Sequence, residues 1–102
     1  MEGQFKKIWK KEDESAFKEK HMPVIEISGD ETRIKVGSIE HPSEPAHFIQ
    51  WIELLDGEIS IERIYLTQFS KPRVSFFVKE KLGDLKARIF CNLHGTWEAE
   101  LK

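Results

Sequence analysis

Phe48-Ile49-Gln50-Trp51-Ile52-Glu53-Leu54-Leu55-Asp56-Gly57-Glu58-Ile59-Ser60-Ile61 decides how the rest of this chain reads. A short apolar run ends at Asp-Gly, one of the strongest local signals for a tight hairpin turn. The run is too short for a stable helix and rich in residues that suit a pleated, buried surface. Beyond the turn, Ile59, Ile61, Ile64 and Leu66, with Tyr65 among them, read as a second long apolar strand.

The same period-two pattern extends both ways. Upstream, Val24, Ile25 and Ile27 form a strand that Gly29-Asp30 turns. Thr32, Ile34 and Val36 then alternate with Arg33 and Lys35, which gives that strand one wet face. Downstream, Lys71-Pro72 interrupts the chain before a strand over Val74 to Val78. Gly83-Asp84 leads into Leu85, Ala87, Ile89 and Cys91, and Trp97, Ala99 and Leu101 make the last strand. Seven short strands with turns every ~8–12 residues predict an all-β fold, a seven-stranded immunoglobulin-like antiparallel β-sandwich. A single cysteine cannot supply the paired cysteines of an antibody domain, so that likeness is one of architecture.

Residues 1–22 follow a different pattern. Six Lys and five Asp or Glu surround Phe5, Ile8, Trp9, Ala16 and Phe17. Phe5, Ile8 and Trp9 are spaced for one apolar side of a helical turn, but the stretch as a whole reads as a solvated N-terminal arm. Its acids nearly cancel its bases, so it is no patch for nucleic acid. With 102 residues the chain accommodates one domain, here 1–102, divided into the arm at 1–22 and the sandwich at 23–102. A net charge of −2 gives no general attraction to nucleic acid or anionic lipid. No segment approaches the ~18 apolar residues of a membrane span, and the charged N-terminus lacks the apolar core of a signal peptide. With one Cys there is no internal disulfide, and the expected location is cytoplasmic.

All four histidines and the one cysteine belong to a suggestive pattern: His21, His41, His47, Cys91 and His94. His41 and His47 flank Pro42 and Pro45, which exclude helix and central strand and stiffen the loop that carries both rings. Cys91-Asn92-Leu93-His94 is a Cys-x-x-His turn at a strand end, closed by Gly95. Any of these histidines taken singly reads as an ordinary surface or core residue; together they point to one metal site. Structural zinc usually takes four ligands with more than one Cys. Blue copper on a sandwich needs a weak axial Met after the Cys–His pair, and the only methionines are Met1 and Met22. Four imidazoles and one thiolate suit iron better, with one coordination position to spare.

Three blocks carry a resemblance to a known family. They are Glu19-Lys20-His21-Met22-Pro23-Val24-Ile25, His41-Pro42-Ser43-Glu44-Pro45-Ala46-His47-Phe48-Ile49-Gln50-Trp51-Ile52-Glu53-Leu54, and Cys91-Asn92-Leu93-His94-Gly95-Thr96-Trp97-Glu98. In this order they resemble the superoxide reductases, also called neelaredoxins or the iron-centre domain of desulfoferrodoxin. The resemblance implies one mononuclear iron, with His21, His41, His47 and His94 equatorial and Cys91 axial. It implies Glu19 as a sixth ligand in the ferric state only and Lys20 as the cation beside the open position. The implied reaction is one-electron reduction of superoxide to hydrogen peroxide, with electrons from an external donor such as rubredoxin. The four-cysteine domain of longer members is not expected in a chain with one Cys. A homo-oligomer, typically a tetramer, is implied as well, and Phe5, Trp9 and Phe17 of the arm are candidate contacts. The alternative is a non-enzymatic metal-binding or electron-transfer sandwich whose metal is saturated by protein. Trp51 and Trp97 read as core aromatics, and Phe48, Ile49 and Ile52 as the dry floor of the site. Ser43 and Thr96 stand where larger apolar side chains are expected.

Overall fold

The computed structural model describes residues 20–38, 40–78 and 83–101. Phe5, Ile8 and Trp9, whose spacing suits one helical turn, lie outside the described residues with the rest of the arm up to Glu19. Seven strands follow in order: β1 (Pro23–Ser28), β2 (Glu31–Val36), β3 (Ile49–Asp56), β4 (Ile59–Tyr65), β5 (Arg73–Phe77), β6 (Leu85–Cys91) and β7 (Gly95–Glu100). They form two antiparallel sheets, one ordered β1-β2-β5 and the other β4-β3-β6-β7. That order is the Greek-key arrangement of an immunoglobulin-like sandwich. The β3–β4 turn falls one residue later than the sequence suggests. Asp56 pairs with Ile59, and Gly57 opens the two-residue loop at φ 63°, a left-handed conformation that glycine adopts without strain.

The alternation in β2 turns Ile34 and Val36 inward, where they meet Phe76 of their own sheet. From the facing sheet come Ile49, Ile52 and Leu54 of β3, Leu85, Ala87 and Ile89 of β6, and Trp97 of β7. Burying side chains of this kind stabilises the fold by about 1.5–3 kcal/mol each.

β3 is the central strand of its sheet, so its outward face is covered too. Trp51 is buried there rather than in the hydrophobic cluster: the Arg63 guanidinium lies 3.9 Å from its ring centroid, and Phe90 stacks at 5.9 Å. Glu53 accepts from Ser60 Oγ at 2.6 Å and from Arg63 at 3.3 Å. Arg88 grips Glu98 through Nε and Nη2 at 3.0 and 2.8 Å. β4 is a strand as expected, but it forms the sheet edge, leaving Ile59 70%, Ile61 42% and Tyr65 69% exposed. A bulge between Leu54 and Leu55 twists this edge away from simple strand addition.

Candidate metal centre

Antiparallel pairing brings four chain segments to one end of the sandwich. Pro23 at the start of β1 pairs with Val36 at the end of β2. Ile49 at the start of β3 pairs with Cys91 at the end of β6, and Cys91 pairs in turn with Gly95 at the start of β7. The residues just beyond these strand ends are His21, His41, His47 and His94. His21 is fixed against β2 through Met22, whose carbonyl accepts from Gly37 N at 3.0 Å. The His41 backbone N–H closes onto Val36 O at 3.2 Å. His47 sits in a small bridge in which it and Glu44 exchange backbone hydrogen bonds of 3.0 and 2.9 Å. At the last corner Gly95 has φ 84°, the left-handed value that lets the chain reverse between His94 and β7.

The four imidazoles form a closed, four-sided ring. Neighbouring centroids lie 4.7 Å apart for His21–His41, 4.6 Å for His41–His47, 5.0 Å for His47–His94 and 4.8 Å for His94–His21. The diagonal from His21 to His47 is longer, 6.3 Å. Each ring stands nearly perpendicular to the next, at 72°, 81°, 75° and 82° around the square. Cys91 Sγ is 3.7 Å from His94 Nδ1, and His94 Nδ1 is 3.1 Å from His21 Nε2. Donor atoms of His21, His47, Cys91 and His94 all lie within 4.8 Å of one another. His41 is outside that set of four, although its ring touches both His21 and His47.

Protonation follows from burial. His41 is 1% exposed, and desolvation holds its imidazolium form down to a pKa of about 4, helped by the neighbouring imidazoles and opposed by Pro42. The ring is therefore neutral at pH 7. Its Nδ1–H donates to Pro42 O at 2.8 Å, which leaves the Nε2 lone pair to face inward. That nitrogen and Nε2 of His47 are buried with no hydrogen-bond partner. Orphaned buried acceptors are costly and rare, and a cation between the rings would satisfy both. Burial also raises the Cys91 thiol above its usual range, while backbone N–H groups of Leu93 and His94 at the sulfur pull it down. A cation inverts that balance, because a coordinating thiol is deprotonated. Borderline imidazoles around one soft thiolate are a donor set that fits one mononuclear iron.

Trp97 closes the site from the core side. It is 1% exposed, stacks on His21 at 4.9 Å and 19°, and donates Nε1–H to His94 O at 3.2 Å. Ile49 and Ile52 are buried in the same cluster as Cys91 and Trp97, while Phe48 is half-buried. Ser43 is small because it reaches Ser70 O at 2.7 Å, tying the histidine loop to the turn before β5. Thr96 is fully buried, and nothing in the structure explains its preference over an apolar residue. Lys20, next to His21, is exposed. Sequence reasoning missed Asn92, which bonds to both flanks of His47, at Ala46 O and Phe48 N; its place inside the Cys-x-x-His turn was the available signal.

The desulfoferrodoxin family model matches residues 13–100. A desulfoferrodoxin from Syntrophotalea carbinolica is 48% identical over 85 residues, covering 83% of this chain and 65% of the relative. The chain thus spans slightly less than two thirds of that relative's length. A putative superoxide reductase from Methanocaldococcus jannaschii is 41% identical over 95 residues, with 82% of each chain covered. The solved one-iron superoxide reductase from Giardia intestinalis superposes with a TM-score of 0.73 at 31% identity, covering 82% of this chain and 98% of that one. The match runs through most of the chain, which therefore belongs to the desulfoferrodoxin family.

Proposed function

We propose that this chain is a superoxide reductase. The observation that carries the reading is the square of four imidazoles beside one buried thiol, half-open on one side. His21, His41 and Cys91 are buried, whereas His47 and His94 are only partly so. We place the approach of a small anion at that partly exposed edge, an approach that a carrier saturated by its own ligands does not need. His21, His41, His47 and His94 would hold the iron through ring nitrogens and Cys91 would hold it through sulfur. Iron held there would supply the single electron, passing from ferrous to ferric.

The chain's own residues do the remaining work. Superoxide takes up one electron and two protons to become hydrogen peroxide. The Lys20 ammonium draws the anion toward His21 despite the overall negative charge, and water held at Lys20 hands on protons. Glu19, just before it in sequence, would supply a carboxylate to the oxidised iron. The floor of Ile49 and Ile52 excludes water and keeps the ligands in place. An external donor of the rubredoxin kind returns the electron, docking where Leu93, 59% exposed, borders His94. We read residues 23–102 as the sandwich domain, 1–22 as its ligand-bearing arm, the assembly as a homo-oligomer, a tetramer in the favoured case, and the location as cytoplasmic. Among the described residues no helix is long and apolar enough to cross a membrane.

Product stoichiometry tests the activity. The iron-loaded protein with a reduced donor should yield one peroxide per superoxide and no dioxygen. Peroxide at half that yield with dioxygen evolved means dismutation, and stoichiometric zinc with no superoxide consumed means a non-enzymatic sandwich. Lys20→Ala should slow the second-order reaction with superoxide by about tenfold and flatten its dependence on ionic strength. An unchanged rate in pulse radiolysis removes Lys20 from the encounter. Glu19→Ala should leave that rate intact and alter the visible spectrum of the resting ferric protein; an unaltered spectrum takes Glu19 out of the site.

A further inference from the structure

We infer that Asn92 is a positioning residue for His47 rather than a spacer within the Cys-x-x-His turn. It makes three hydrogen bonds across the site, all to the residues on either side of that histidine. Its Oδ1 accepts from Phe48 N at 2.9 Å, its Nδ2 donates to Ala46 O at 3.0 Å, and its backbone N–H donates to Phe48 O at 3.2 Å. The backbone groups of His47 itself are already engaged with Glu44. The loop is therefore clamped immediately before and immediately after the ligand, and the clamp belongs to the turn that carries Cys91 and His94.

His47 depends on such a clamp in a way that His41 does not. His41 is oriented through its own ring, by the bond from Nδ1 to Pro42 O. His47 turns a buried Nε2 with no hydrogen-bond partner toward its neighbours, and its ring packs on His41 at 4.6 Å and His94 at 5.0 Å. The direction of that lone pair follows the local backbone. Asn92 fixes that backbone relative to two other ligands, so three of the five donors share one rigid frame.

The side-chain chemistry is specific. Only a carboxamide offers an acceptor and a donor side by side, matching one N–H and one C=O two residues apart. Aspartate keeps the acceptor for Phe48 but sets a second oxygen against Ala46 O. Alanine loses both bonds and leaves both backbone groups to find water.

The inference rests on His47 being a metal ligand, not on the identity of the reactant, so the test reads the metal rather than turnover. Two measurements suffice: release of ferrous iron to excess chelator, and the electron paramagnetic resonance of the ferric protein. Asn92→Ala and Asn92→Asp should each release iron about 10–100-fold faster than the parent and change the rhombicity of the ferric signal. Ser43→Ala, which cuts a bond on the same loop away from His47, should lower thermal stability and leave the signal as it is. His47→Ala is the reference. If it leaves iron release and signal unchanged, His47 is no ligand and the ligand reading fails. If it changes both while the two Asn92 variants match the parent, the positioning role is wrong. Should Asn92→Ala fail to fold, Asn92→Asp alone decides, since it keeps the bond to Phe48.

Discussion

Trp97→Ala should lose about 3–5 kcal/mol of stability in the metal-free protein, the usual cost of emptying a large buried aromatic site. It should also fail to retain one iron per chain. Two contacts make the second effect follow from the first. The indole stacks on His21, the ligand farthest away in sequence, and its Nε1–H holds His94 O, so one side chain braces two adjacent corners of the imidazole square. Removing it takes away the stacking face of the His21 ring and one hydrogen bond to His94 O. Trp97→Phe separates these effects. It keeps an aromatic face for His21 and loses only the hydrogen bond, at a cost of about 0.5–1.5 kcal/mol. Denaturant midpoints of the metal-free variants measure the first quantity, and iron per chain after a desalting step measures the second. Full iron retention by Trp97→Ala shows that the floor beneath the square is rigid without the indole.

Trp97 also marks where sequence reasoning reaches and where it stops. Its place in an alternating run identified it as a core residue, and it is one. That its ring lies on His21 is a contact between chain ends, which no local pattern encodes. The strands were legible because Thr32, Ile34 and Val36 alternate with charged neighbours, and turns fall at Gly29, Gly57 and Gly83. The centre of β3 was harder, because a strand covered on both faces shows no alternation. Trp51 read as a core aromatic, yet it is buried on the outer face, as is Glu53, which lies between Arg63 and Arg88. β4 read as a long apolar strand and is one, but its place at the sheet edge, which leaves Ile59 and Ile61 exposed, is set by pairing that its own residues do not encode. The cluster of histidines around one cysteine was legible because both residue types are scarce here and fall near strand ends. Asn92 was not, because asparagine in a turn is commonplace and its partners lie 44 and 46 residues away.

Cys91→Ser should abolish the visible absorption of the oxidised, iron-loaded protein. Cys91 is the only cysteine in the chain, so a thiolate-to-iron band can have no other source. The thiol is buried, and burial raises its pKa, so at neutral pH the metal-free site carries the proton on sulfur. Iron entering the imidazole square displaces that proton. His41, held at a pKa of about 4, is already neutral and gives up nothing. Iron affinity of the parent should therefore rise with pH, by about tenfold per unit, as long as the pH stays below the raised thiol pKa. Serine is too weak an acid to follow the same course. Its hydroxyl stays protonated or binds poorly, and the pH dependence of affinity should flatten together with the loss of colour. Four imidazoles remain, so iron is expected to stay bound, but the electron density supplied by sulfur is gone. Superoxide turnover should then fall by about 100-fold or more, in line with removing a group that acts mainly on the reacting state. Absorption spectra of oxidised samples and metal titrations at several pH values check the two halves separately. A band that survives in Cys91→Ser, or an affinity whose pH slope is the same as in the parent, removes the thiolate from the coordination sphere and leaves an all-imidazole site.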